Sequence, residues 1–329
     1  MPDIDYWFAT STEEFGPQEM VEQARAAQEA GFDGLGSSDH FAPWFPDGKG
    51  TQAWVTLGAI GQAVADLPLF TAVTPVQHHY HPATVAQAFM TLEALYPGRV
   101  VLGAGSGESV NESPTGLDWP SVEEQQARFE AGLEAITRLW AGETVTMDGG
   151  WFALKNAKLW TMAPAPPRLI VSAFGPQAAQ IAARWGDGIW TLGDPEQAPE
   201  ILDAYRSACS DLNREPGEII LQSGMAWADS REAVIAGAKR WKPTQLPELY
   251  TDDISDQDEM QRLADEQMSD EEFATEGFIV SEDVDEHIER VREIAGLGAS
   301  TVCLQLIGQA DPMGTIRVYG ERVLPALRS

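Results

Sequence analysis

The chain has 329 residues, 43% of them hydrophobic, with 51 acidic against 21 basic side chains and a net charge of −30. Such a surface repels nucleic-acid phosphates and excludes that class of partner. Cys209 and Cys303 are too few and too far apart for a disulfide framework or a zinc site, so no metal is expected. No apolar run reaches the ~18 residues that span a bilayer, and the start, Met-Pro-Asp-Ile-Asp, lacks the basic residues of a signal peptide. A cytoplasmic protein without membrane contact is expected.

A β-rich run over 4–10 is followed by Ser11-Thr-Glu-Glu, a helix-capping signal ahead of a helical stretch over 18–30 that Gly31 closes. The strand over 32–36 completes a strand, helix, strand unit of the kind that builds parallel sheets. It leads into Asp39, His40 and Trp44. An Asp-His pair just past a strand suits proton transfer, because a carboxylate can fix one imidazole tautomer and leave the other nitrogen free.

The alternation continues with helices over 54–65 and 82–96 and strands over 69–74 and 99–104. A helix over 121–140 precedes an alternating, hairpin-like insertion near 142–163, turning at Asp148-Gly-Gly150. The repeat resumes with strands over 168–172, 188–192, 218–222 and 301–305, separated by helices over 177–185, 197–213 and 284–297. An acidic, weakly apolar helical stretch near 249–277 is either a solvated excursion or a cover over a site. Eight strands alternating with helices predict one (β/α)8 TIM barrel with insertions spanning 1–329.

In such a barrel the chemistry sits at the carboxyl ends of the strands. Asp39, His40 and Trp44 follow the second strand, Ser106, Gly107, Glu108 and Asn111 the fourth, and the segment from Ser172 to Gln177 the fifth. The turn at Gly175, Pro176 and Gln177 opens a helix whose free amides and dipole suit an anion. Together with Phe41, Pro43, Ala86-Gln-Ala-Phe89, Leu95-Tyr-Pro97, Leu139-Trp140 and Gly186-Asp-Gly188, these motifs run along nearly the whole chain. On them the chain resembles the luciferase-like superfamily of flavin and deazaflavin enzymes. The closest resemblance is to its coenzyme F420-dependent glucose-6-phosphate dehydrogenase subgroup.

The resemblance implies a cytoplasmic homodimeric oxidoreductase that moves a hydride between an alcohol or sugar carbon and the deazaflavin C5 of bound coenzyme F420. In it His40 is the base, helped by Asp39, Trp44 packs over the reacting centre, and Glu108 is the acid that serves the reduced ring. It also implies a non-proline cis peptide at Ala72-Val73 behind the ring. Asp39, Ser106, Gly107 and Asn111 would meet the cofactor, and Ser172, Ala173, Gly175, Pro176 and Gln177 its phosphate side. The subgroup's two lysines and one arginine that clamp a sugar phosphate align with Asp194, Thr251 and Gly277, so a neutral alcohol, sugar or ketone is expected rather than glucose 6-phosphate. Lys239, Arg240 and Lys242 remain as substitute partners for a phosphate. An FMN-dependent monooxygenase and a silent cofactor carrier on the same fold are the alternatives.

Only 5 Lys and 16 Arg oppose acids spread along the whole chain, the distribution of halophilic proteins such as those of haloarchaea. In ~1 M salt the screening length falls to about 3 Å, which quiets carboxylate repulsion. The expected outcome is loss of folded structure on dilution from molar to tens of millimolar potassium chloride. Circular dichroism and melting temperature unchanged across that range would refute it.

Overall fold

The computed structural model describes residues 4–76 and 79–329; the terminal Met-Pro-Asp lies outside them. Eight strands form the barrel: β1 Asp5–Thr10, β2 Gly34–Ser37, β3 Leu69–Thr71, β4 Val100–Gly105, β5 Arg168–Ser172, β6 Gly188–Leu192, β7 Glu218–Ala226 and β8 Thr301–Leu306. Each pairs in parallel with the next, and β8 returns to β1 with Asp5 opposite Thr301, so the sheet is closed.

The barrel is a packed core. Trp7, Phe70, Val101, Ile170, Trp190, Ile220 and Cys303 fill its lower interior, with the rings of Trp7 and Phe70 stacked at 4.8 Å. Strand β2 makes room for them by carrying glycine at both inward positions. A Cβ on Gly34 would lie 2.7 Å from the Trp7 ring, and one on Gly36 would lie 2.2 Å from the Phe70 carbonyl. Helices Pro17–Ala30, Ala53–Ala63, Pro82–Leu95, Val122–Trp140, Pro176–Trp185, Ala198–Asp211 and Val284–Gly296 lie outside, burying one apolar face each against the strands.

Three departures from the sequence expectations bear on the site. The first helix starts at Pro17, where the Gly16 N–H is held by the Glu19 carboxylate at 2.8 Å. Residues 11–14 therefore do not cap it; Ser11, Thr12, Glu13 and Glu14 are buried at the carboxyl end of β1. The third strand, expected unbroken over 69–74, divides into Leu69–Thr71 and Thr74–Pro75; the peptide Ala72–Val73 between them is cis, as the resemblance implied.

The third departure is the excursion near 249–277, which begins earlier and is not merely a solvated surface. Segments Lys239–Gln245, Glu248–Thr251, Gln257–Gln267 and Asp270–Glu276 bury Trp241, Leu249, Met260 and Phe273 in a second apolar core with Trp44, Phe45 and Val110. Ser109 clips it down, donating to the Ile254 carbonyl at 2.8 Å and accepting the Ile254 N–H at 3.1 Å. The other insertion is the antiparallel hairpin Val145–Asp148 with Ala153–Ala157. Among the described residues no helix is long and apolar enough to cross a membrane.

Candidate active site

The site is assembled from loops that share one asparagine. Asn111 is fully buried, and its Oδ1 accepts the N–H groups of Phe41 at 2.9 Å and Ala42 at 3.3 Å. Two backbone donors fix the amide's orientation, because turning it over would set donor against donor. Its Nδ2 therefore donates, to His40 Nδ1 at 3.1 Å and to Glu108 Oε2 at 3.0 Å. His40 Nδ1 must accept, so the neutral imidazole carries its proton on Nε2.

That nitrogen faces Glu13 Oε1 at 3.5 Å, a charge contact longer than a well-formed hydrogen bond. Glu13 is held in turn by the hydroxyls of Ser38 and Thr12, both on its Oε2. Burial works to lower the His40 pKa, but the charges of Glu13, Glu108 and Asp39 outweigh it and the balance is raised above 6.5. The Trp44 ring lies 5.4 Å from His40 and 5.7 Å from Tyr250.

Two joined cavities open above the barrel. The smaller, about 100 Å³, is bordered by Glu13, His40, Trp44, Glu108, Trp190 and Trp241. The larger, about 440 Å³, runs along Val73, Gly105, Ser106, Gly107 and Glu108 to Ser172, Phe174, Gly175 and Ala178. Glu108, Val73, Ser172 and Tyr250 border both. A Cβ on Gly175 would project into open space, so that glycine leaves room over the start of helix Pro176–Trp185. Pro176 has no N–H to offer, and the next amides of the first turn lack intrahelical partners, which makes an anion seat.

Not every sequence candidate lines these cavities. Asp39 is 2% exposed and borders neither. Its carboxylate is turned from the His40 ring and takes Trp54 Nε1 at 2.8 Å, Thr74 Oγ1 at 2.6 Å and Tyr80 OH at 3.1 Å. Burial, only partly offset by those donors, pushes its pKa up. Asn111 has no amide valence left for a cofactor and acts by holding His40 and Glu108. Ala173, Pro176 and Gln177 also stand back from the cavities, whereas Ala72 borders the smaller and Val73 both.

The charge inventory is one-sided. No Lys or Arg borders either cavity among the described residues, while Glu13, Glu108 and Asp194 do. Asp194 and Thr251 sit on the larger cavity and Gly277 on neither. The substitute cations are spoken for: Lys239 pairs with Asp270, Arg240 with Asp47 and Glu14, and Lys242 with Asp265 and Asp270. Sequence reasoning missed Glu13, Gln222, Gln305, Trp190, Trp241 and Tyr250. Gln222 and Gln305 end two expected strands, and the strand-end rule applied to them would have found both.

With this barrel and strand-end site the chain belongs to the luciferase-like monooxygenase family, whose model matches residues 6–301. It is 36% identical, over 100% of its length and 98% of the relative's, to the F420-dependent glucose-6-phosphate dehydrogenase of Nakamurella multipartita. Among solved structures it is similar to an F420-dependent secondary alcohol dehydrogenase in complex with an F420-acetone adduct. That match has a TM-score of 0.93 and 28% identity, covering 99% of this chain and 100% of the other. The coenzyme F420-dependent tetrahydromethanopterin reductase of Methanopyrus kandleri shares the fold, with a TM-score of 0.78, 15% identity and 99% of each chain covered.

Beside Glu13, and turned the other way, Glu14 ties the cover to the barrel. Its Oε2 accepts Trp241 Nε1–H at 3.0 Å and the Gly308 N–H at 2.7 Å, and Arg240 stands 3.6 Å from Oε1. Burial pushes its pKa to about 7 against these donors. The folded state therefore binds this proton more tightly than the unfolded chain, whose value is near 4.5. The corresponding stability is present below pH 4.5 and is lost as pH climbs to about 7, by roughly 3 kcal/mol. Glu14→Gln keeps an acceptor for both N–H groups and carries no charge. Its melting temperature is expected to match wild type near pH 5 and exceed it near pH 8; a gap that does not widen with pH would refute this account.

Proposed function

We propose that this protein is a coenzyme F420-dependent oxidoreductase acting on a neutral alcohol or ketone. The observation that carries the reading is the arrangement of His40 and Glu13 in a small cavity with Glu108 where it meets a long one. Support comes from the F420-dependent relatives across the full length. The long cavity suits a deazaflavin with an anionic tail: a glycine-lined wall at Gly105 and Gly107, and a helix N-terminus at Gly175 in place of cations. When bound, the deazaflavin supplies the carbon that accepts or returns a hydride.

The chain's own residues handle the proton. The hydroxyl proton of an alcohol in the small cavity passes to the His40 and Glu13 pair, whose facing atoms stand 3.5 Å apart. Because Asn111 keeps Nδ1 an acceptor, the pair ends with a proton on His40 Nε2 and a second on Glu13. Glu13 is thus the base that takes the proton, and His40, with Nδ1 held by Asn111 and its proton on Nε2, is the group that faces and positions it, a duty that does not fall to Asp39. Glu108 borders both cavities while its Oε2 is held by Asn111, which leaves its other oxygen to store or deliver a proton there. Trp44 and Trp241 close the small cavity against water.

A phosphorylated substrate is disfavoured, since each charge-assisted bond to a phosphate contributes about 1.5–3 kcal/mol and here carboxylates stand where cations would be needed. The test is anaerobic mixing with oxidised F420 and a panel of alcohols and sugars, with and without phosphate. Loss of the deazaflavin absorbance with neutral alcohols, and little with glucose 6-phosphate, is the expected result. Oxygen consumption with FMN and no reduction of F420 would overturn the reading. His40→Asn, Glu13→Gln and Glu108→Gln should each lower turnover more than ~100-fold while F420 still binds. Near-normal turnover would remove that residue from the mechanism.

A further inference from the structure

The layer of side chains that floors the small cavity is polar on two neighbouring strands. Gln222 on β7 and Gln305 on β8 sit one inward step above Ile220 and Cys303, which belong to the apolar plug. Both border the cavity, Gln305 with only 8% exposure. They form a directed row. Trp190 Nε1–H donates to Gln222 Oε1 at 2.7 Å, Gln222 Nε2 to Gln305 Oε1 at 2.7 Å, Gln305 Nε2 to Ser11 Oγ at 3.0 Å, and the Ser11 hydroxyl to the Leu306 carbonyl at 2.7 Å. The indole can only donate and the carbonyl can only accept, so no amide in the row can turn over.

This row uses half of each amide. A second N–H and a second lone pair on Gln222 and on Gln305 take no partner among the described residues. Buried amide valences without partners are costly, and an apolar pair here would extend the plug at no such cost. The valences are available to whatever fills the cavity.

We propose that Gln222 and Gln305 form an oxygen-binding subsite, and that the substrate carries a second hydroxyl or carbonyl oxygen beside the carbinol that reacts. The substrate class is then a small vicinal diol, triol or hydroxyketone; this deepens and rests on the oxidoreductase reading above. Charge argues for a neutral molecule, because Glu13 and Glu108 border the same space with His40 but with no Lys or Arg among the described residues. Size argues for a small one. A cavity of about 150 Å³ holds benzene, so about 100 Å³ takes roughly four or five heavy atoms and not a hexose.

The test compares hydroxyacetone with acetone, binding to the protein loaded with oxidised F420, where neither ketone can be reduced. Affinities come from ligand-observed NMR titration, in wild type, Gln305→Met and Gln222→Met, with F420 affinity and circular dichroism as controls. Wild type is expected to favour hydroxyacetone by at least about tenfold, and each variant to bring the ratio to within about twofold. If Gln222→Met does not fold, because the Trp190 N–H loses its acceptor, Gln305→Met carries the test alone. Equal affinities in wild type, as when a resident water satisfies the amides, would overturn the subsite, as would a preference that survives Gln305→Met. A hydroxyacetone preference in a protein that reduces no F420 with any alcohol keeps the subsite and sinks the oxidoreductase reading. F420 reduction without that preference does the reverse.

Discussion

The amide of Asn111 is the joint on which the site depends. Its oxygen is committed to two backbone N–H groups of the loop after β2, which leaves its two N–H groups for His40 Nδ1 and Glu108 Oε2. One side chain on the loop after β4 thus sets the position of both titratable groups and the tautomer of one. Such a joint works only when buried and saturated, since an unpaired amide group in the interior costs about 1–3 kcal/mol. It also resists the imidazolium, because a proton on Nδ1 would face the Asn111 N–H, whereas Glu13 and Glu108 favour that charge.

The rest of the molecule isolates this joint. Below it, aromatic side chains admitted by Gly34 and Gly36 close the barrel. Above it, the excursion over 239–277 lays Trp241 and Tyr250 across the cavity and is fastened to the loop after β1 through Glu14 and to the loop after β4 through Ser109. Glu13 and Glu14 are consecutive, yet one faces His40 and the other the Trp241 indole of the cover. Neither cavity is bordered by Lys or Arg among the described residues, and the N-terminus of helix Pro176–Trp185 stands beside the larger one.

Much of the barrel was legible in the sequence because parallel strands and amphipathic helices carry strong periodic signals; β5 and β6 have the bounds expected. His40, Trp44 and Glu108 stood out as strand-end residues of the right chemistry. Glu13 did not, because Ser11-Thr-Glu-Glu is also a plausible helix start, and only the fold shows that Gly16 and Glu19 take that duty. The pairing of His40 with Glu13 rather than with its neighbour Asp39 depends on where two loops meet, and adjacency along the chain misleads there. Gln222 and Gln305 lie 83 residues apart and become a pair only through the β7 and β8 register. The cover was underestimated because its acids dominate its composition, while its few buried residues form a core only against Trp44 and Phe45.

The account's central claim, that Asn111 holds His40 as an Nδ1 acceptor with its proton on Nε2, is open to direct observation. Long-range proton-nitrogen NMR of the uniformly nitrogen-labelled protein distinguishes protonated from bare ring nitrogens, and a His40→Asn sample assigns the signals. Above the raised His40 pKa, the account predicts a bare Nδ1 and a protonated Nε2, and a shift toward mixed tautomers in Asn111→Leu. A proton on Nδ1 in the neutral wild-type ring, or a tautomer unchanged by Asn111→Leu, would contradict it.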